Sequence, residues 1–202
     1  MKHARVIGIT QRMTVNPPHN ELRDCLATDW YPFLRALDMP WIVLPNDAQS
    51  ALYLAEYFAL GGLILSGGDD IGVFPRRDET EFALLAWATR EAIPVVGVCR
   101  GFQVISTQSG GQLAEVDSAV HRGKRHTIRF ADGTRREVNS YHTLAPSALP
   151  PSLVPLAHCT VDGCPEAASG KNLLGILWHP EREPEPDPED VLMITTYLSG
   201  SQ

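Results

Sequence analysis

Residues 94–106, PVVGVCRGFQVIS, restrict the possible folds more than any other stretch of the chain. Val95, Val96 and Val98 make a short apolar, β-branched run that reads as a strand. The run stops at Cys99-Arg100-Gly101 and resumes as GFQVISTQSGG, a helix-compatible segment closed by glycines. A strand that turns into a helix at one sharp corner is the repeating unit of an α/β sheet.

The flanking sequence repeats the unit. ARVIGIT, WIVLP and GLILSGGDD read as strands. Leu22, Leu26, Trp30, Phe33, Leu34 and Leu37 fall at helical spacing in ELRDCLATDWYPFLRALDM. NDAQSALYLAEYFAL opens with capping residues, and DETEFALLAWATREA carries a capping-box pattern in Asp78 and Glu81. Alternating strands and helices predict a parallel sheet with helices on both faces. Beyond Gly111 the texture changes. RHTIRFADGTRREV reads as a hairpin with DG at its turn, SLVPLAH and NLLGILW as strands, and DPEDVLMITTYLS as a helix capped by Asp187. The expected architecture is therefore a single α/β domain over residues 1–202, with a mostly parallel central sheet flanked by helices and a C-terminal β-hairpin elaboration.

Composition excludes several classes. The net charge of −7 over 202 residues argues against general binding of nucleic acid or anionic membrane. No apolar run approaches the roughly 20 residues that span a bilayer, and MKHARVIGITQ is too short in apolar residues for a signal peptide. Cys25, Cys99, Cys159 and Cys164 lack the spacing of a disulfide scaffold, and no tight His/Cys set completes a zinc site. A cytoplasmic protein with reduced thiols and no metal is expected.

GVCRG has the form Gly-x-nucleophile-x-Gly, a strand–turn–helix elbow that projects the central side chain above the sheet. Cys99 would sit at a helix N-terminus, whose unpaired N–H groups favour the thiolate. The bland reading is a buried cysteine at a strand end. A thiolate nucleophile needs a base and a group to orient that base. His179 follows the NLLGILW strand, and Glu181 lies two residues on, on the same side of an extended chain; Glu183 is the less direct alternative. Donors for an oxyanion are available at the backbone N–H of Arg100 and at Gly67 or Gly68.

With LSGGDDIGVFP, PVVGVCRGFQ, VNSYH and GILWHPER in place, the sequence resembles the class I glutamine amidotransferase superfamily. Within it, the sequence resembles the cysteine-peptidase branch that hydrolyses γ-glutamyl bonds. The resemblance implies a flavodoxin-like fold and no cofactor. It assigns Cys99 as nucleophile, His179 as base, Glu181 as its orienter, and Gly68 and Arg100 as oxyanion positions. Gln103, Asn139, Ser140, Tyr141 and His142 match positions that hold the γ-glutamyl group; on their own, Gln103 reads equally as a cap or buried hydrogen bond and NSYH as a polar turn. Arg100 and GGDD stand where ammonia-delivering members carry Leu and GGP. GITQRM, ELRDCLATDW, GGDDIGVF and RGKRHTI resemble a short bacterial group linked to capsule decoration, thought to remove glutamate from a γ-glutamyl nucleotide amide.

Residues 121–136 are basic within an acidic chain. Arg122, Lys124 and Arg125 are candidates to hold a phosphorylated, small-molecule γ-glutamyl substrate; a solvated hairpin face is the alternative. A partner synthase is expected only if the chain instead delivers ammonia to another protein.

Overall fold

The computed structural model describes residues 5–200. In chain order the elements are β1 (Ile7–Thr10), β2 (Arg12–Asn16), β3 (Glu21–Cys25), α1 (Trp30–Ala36), β4 (Trp41–Leu44), α2 (Ala48–Tyr57) and β5 (Gly62–Leu65). Then come α3 (Pro75–Arg90), β6 (Val95–Val98), α4 (Arg100–Gln108), β7 (Gln112–Glu115), α5 (Ser118–His121), β8 (Lys124–Phe130) and β9 (Arg135–Ser140). The last are β10 (Leu144–Ala148), β11 (Val154–Cys159), β12 (Pro165–Gly170), β13 (Leu173–Ile176), a 3₁₀ turn at Pro180–Arg182 and α6 (Pro188–Leu198).

One nine-stranded sheet runs β4-β1-β5-β6-β13-β12-β11-β8-β9. It is parallel from β4 to β13 and antiparallel from β13 to β9. Within the parallel part β1, β5 and β6 are buried on both faces, because their side chains alternate between two cores. Leu63, Leu65 and Val95 pack with Leu84, Leu85 and Phe102 of α3 and α4. Ile64, Val96 and Val98 pack on the opposite face with Trp30 and Phe33 of α1 and Ile194 and Leu198 of α6. Burying each such Val, Leu or Ile contributes roughly 1.5–3 kcal/mol relative to exposure.

Three expectations are corrected. The helix expected from Glu21 onward begins only at Trp30, and its first part is the β2–β3 hairpin. Leu22 supplied the helical period, yet it is 51% exposed and carries no core contact. The hairpin is secured instead by Asp24, whose carboxylate accepts from the Asn46 backbone N–H and side-chain amide, each at 2.9 Å. The capping box at Asp78 is also absent. α3 begins earlier, at Pro75, a first-turn position that suits proline, and Asp78 and Glu81 serve the buried charge network described below. Finally, the β8–β9 turn spans residues 131–134 rather than two residues, with the Phe130 N–H donating to the Thr134 carbonyl at 2.8 Å.

Candidate active site

The site forms where three neighbouring parallel strands end. β5, β6 and β13 lie side by side, with Leu65 opposite Gly97 and Ile176 opposite Val98. The chain leaving β5 is the Gly67–Gly68 turn, the chain leaving β6 is Cys99, and the chain leaving β13 reaches His179. Residues distant in sequence therefore meet at the carboxyl edge of the sheet, where open α/β sheets bind ligands.

Cys99 adopts φ 51° and ψ −103°, an uncommon conformation for a non-glycine residue, and leads directly into α4. Its N–H donates to the Ile176 carbonyl at 2.7 Å, which anchors the corner to β13. The turn is tight enough to require glycine at Gly101, where a Cβ would lie 2.1 Å from the Leu65 carbonyl oxygen. The first N–H groups of α4, including that of Arg100, have no partner within the helix.

His179 is buried, and its Nδ1 lies 2.7 Å from Glu181 Oε1. Its Nε2 has no hydrogen bond of ordinary geometry. Burial pushes the imidazole pKa down, but the negative charges of Glu181 and Cys99 outweigh it and raise the pKa to about 10. Cys99 therefore acts electrostatically on the same ring that Glu181 orients. A Cβ on Gly67 would come within 2.6 Å of His179 Cε1, so the glycine turn forms the opposite wall.

The turn has its own support. Arg77 Nη2 donates to the Ser66 carbonyl at 2.8 Å and the Gly67 carbonyl at 3.0 Å, while its Nε pairs with Glu81 at 3.0 Å. The Arg100 side chain turns inward to Glu81 and Asp78. Thr10 donates to Glu81 at 2.8 Å. Arg100 thus contributes its backbone to the corner and its guanidinium to the scaffold. Gly68, at φ +143°, lies against Arg77, and a Cβ there would meet Nη1 at 2.3 Å.

The remaining expected residues divide. Gln103 is buried; its amide donates to the Leu144 carbonyl at 2.9 Å and its oxygen is unpartnered. Asn139 accepts from the His179 N–H at 2.9 Å and donates to the His179 carbonyl and to Glu183, both at 2.8 Å. Its amide is thus occupied in fixing His179 rather than facing a ligand. Glu183 is held there and by Arg125 at 2.9 Å, leaving Glu181 as the carboxylate on the imidazole. Tyr141 is partly exposed and meets the His179 ring edge-on at 5.5 Å. Ser140 is buried with an unpartnered hydroxyl. His142 does not join Cys99; it faces Glu166 together with His121 and His126 in a separate buried cluster. Arg122 and Lys124 are exposed, and Arg125 is paired with Glu137 and Glu183.

Sequence reading missed the other side of the cleft. The β2–β3 hairpin brings Arg12 and Cys25 beside Gly68 and His179, and the 3₁₀ turn adds Arg182 to the same wall. Arg182 stacks over Tyr141 at 4.3 Å, and Arg12 faces Asp69 at 3.7 Å. Reading residues 21–29 as helix hid this wall.

Comparison with known proteins agrees with the architecture. The chain is 33% identical over 186 residues to the γ-glutamyl-CDP-amidate hydrolase of Campylobacter jejuni subsp. jejuni serotype O:2, covering 88% of this chain and 90% of that protein. It is 36% identical over 151 residues to the pyocyanine-specific anthranilate synthase component 2 of Pseudomonas aeruginosa, covering 69% and 72%. The solved structure of a glutamine amidotransferase from Thermotoga maritima superposes with a TM-score of 0.64 at 15% identity, over 100% of this chain and 94% of that one, and shares the fold. Residues 5–181 match the Peptidase C26 family, and the chain belongs to that family.

Proposed function

We propose that this protein hydrolyses a γ-glutamyl amide through a thioester on Cys99. The observation that carries the reading is the corner itself: a cysteine at positive φ on a helix N-terminus, beside a buried imidazole whose far nitrogen is 2.7 Å from a carboxylate. Thiolate attack on the γ-carbonyl places negative charge on its oxygen. The backbone N–H groups of Arg100 and Gly68 receive that charge; each such donor is worth about 10²–10³ in rate. His179 gives its proton to the leaving amine. Thioester formation removes the Cys99 charge, one of the causes holding the proton on His179. The neutral imidazole then takes a proton from water, which attacks the thioester and releases glutamate. Glu181 fixes the ring through both steps.

The substrate is a γ-glutamyl nucleotide amide of the γ-glutamyl-CDP-amidate type. The similarity to the Campylobacter hydrolase over 90% of its length supports this. So do the cations beside His179, where Arg12 and Arg182 line the cleft. The anionic remainder then lies against Arg12 and Arg182. A γ-glutamyl-γ-aminobutyrate-type amide is the simpler alternative. The similarity to an anthranilate synthase component favours a different second reading, a glutaminase that serves a partner synthase.

Glutamate release should be measured without partner on γ-glutamyl-CDP-amidate, γ-glutamyl-γ-aminobutyrate and glutamine. The nucleotide should lead in kcat/KM by at least about tenfold, or roughly 1.4 kcal/mol of transition-state binding. Glutamine as best substrate would support the amidotransferase reading instead. Acid-quenched intact mass should show one glutamyl group on Cys99, and its absence under burst conditions would remove the thioester.

A further inference from the structure

We propose that His121, His126, His142 and Glu166 form a binding site for one divalent transition-metal ion of the zinc class. The four residues come from α5, β8, the segment after β9, and β12, and all are buried. The three imidazoles converge on one carboxylate oxygen. His126 Nε2 lies 3.1 Å, His121 Nδ1 3.3 Å and His142 Nε2 3.5 Å from Glu166 Oε1. Ligand atoms about 2.0–2.2 Å from a tetrahedral zinc ion are separated from one another by roughly 3.3–3.5 Å, close to the three histidine-to-Glu166 separations.

Hydrogen bonds to one shared oxygen leave the cluster incompletely satisfied. His121 Nδ1, His126 Nε2, both nitrogens of His142 and both oxygens of Glu166 lack a hydrogen bond of ordinary geometry. Buried polar atoms are nearly always partnered, and four of these, His121 Nδ1, His126 Nε2, His142 Nε2 and Glu166 Oε1, converge on one another, where an ion would serve as their common partner. For His121 and His126 the nitrogens pointing away are held as they are in metal sites, where a ligating histidine donates its other N–H to a carboxylate or carbonyl; His142 Nδ1 has no such partner. His121 Nε2 is 2.8 Å from Asp162, and His126 Nδ1 is 3.4 Å from the Val120 carbonyl. The rings of His121 and His142 are 4.6 Å apart, and their ligand atoms and that of Glu166 lie within 4.8 Å of one another. This assignment reverses the expectation of no metal, which rested on close sequence spacing; these ligands are spread from residue 121 to residue 166.

An ion there would brace the chain beside the cleft. His142 follows Asn139, which holds both backbone groups of His179. The role is structural, because the ligands are buried and none contacts Cys99.

The test uses untagged full-length protein produced with Zn²⁺ in the medium. Metal analysis should find about one zinc per chain, as for a closed structural site. Chelation should lower the melting temperature and added Zn²⁺ should restore it. Co²⁺ added to the stripped protein should give the intense visible absorption of a tetrahedral site. Cys99→Ala should keep the metal, whereas folded Glu166→Gln or His126→Gln should lose the Co²⁺ absorption. Substoichiometric zinc with no response of melting to Zn²⁺ or Co²⁺ in the wild-type chain would overturn the assignment, even if the variants fail to fold. So would full metal content in a folded Glu166→Gln variant, or loss of metal in Cys99→Ala.

Discussion

Glu81→Gln tests whether the buried charges beneath the glycine turn act as one unit. Glu81 and Arg77 are at most 1% exposed, and so is Arg100. Glu81 accepts from Arg77, Arg100 and Thr10 together. Neutralising it leaves two buried guanidinium groups facing each other, with Asp78 as the remaining carboxylate on Arg100. Breaking a buried ion pair from one side costs about 3–5 kcal/mol. At about 2–4 °C per kcal/mol for a chain this size, the melting temperature should fall by about 6–20 °C. Differential scanning calorimetry or urea unfolding at neutral pH reads this directly. Turnover of the folded fraction should fall as well, because Arg77 holds the carbonyls of Ser66 and Gly67. A Glu81→Gln variant that melts within about 2 °C of wild type would refute the reasoning, since an uncompensated buried charge cannot be that inexpensive.

Other outcomes follow from the same geometry. Gly101→Ala should be severely destabilised or insoluble, because its Cβ would lie 2.1 Å from the Leu65 carbonyl; normal expression and melting would contradict the tight elbow. Cys99→Gly should melt at or above Cys99→Ala, because glycine tolerates φ 51° where alanine carries strain of about 1–3 kcal/mol, and both should lack turnover. Iodoacetamide should label Cys99 before Cys159, whose thiol is pushed up by burial; peptide mapping after partial alkylation checks the order. Glu181→Gln should lower kcat by about 10⁴-fold, less than His179→Ala, whereas Glu183→Gln should be mild. His179 has a raised pKa of about 10. Its protonation therefore stabilises the fold fully below about pH 6.5, the ordinary histidine value, and this contribution fades as pH rises toward 10. The melting difference between wild type and His179→Gln should shrink across that window, and a difference that grows with pH would reverse the sign.

The elements with the densest local signal were legible in the sequence. β6, Cys99 and α4 follow from valines, flanking glycines and helix formers, and α6 follows from Asp187 and Pro188. Leu22 misled because one exposed leucine in register with Leu26 and Trp30 extended a helical period across a hairpin. His142 was misplaced for a different reason. Adjacency in VNSYH suggests a shared role, but alternation along an extended segment turns neighbouring side chains to opposite sides, so Tyr141 meets His179 while His142 enters the other cluster. The ligands around Glu166 carry no local pattern. The register of β8, β11 and β12 brings His126 to Glu166, while α5 and the segment after β9 add His121 and His142.

The position of β13 has a consequence for synthesis. β6 leaves the ribosome early, but its second edge stays open until residues 173–176 arrive to lie between β6 and β12. The gap from Val98 to Leu173 is 75 residues, or about 4–15 s at ordinary elongation rates. During that interval an apolar strand edge is unpaired, a template for association with other chains. The same strand carries the chain on to His179, so the nascent protein gains this imidazole and closes its sheet in one event. A chain stalled before β13 would hold Cys99 with no imidazole beside it, at the strand edge left open for association.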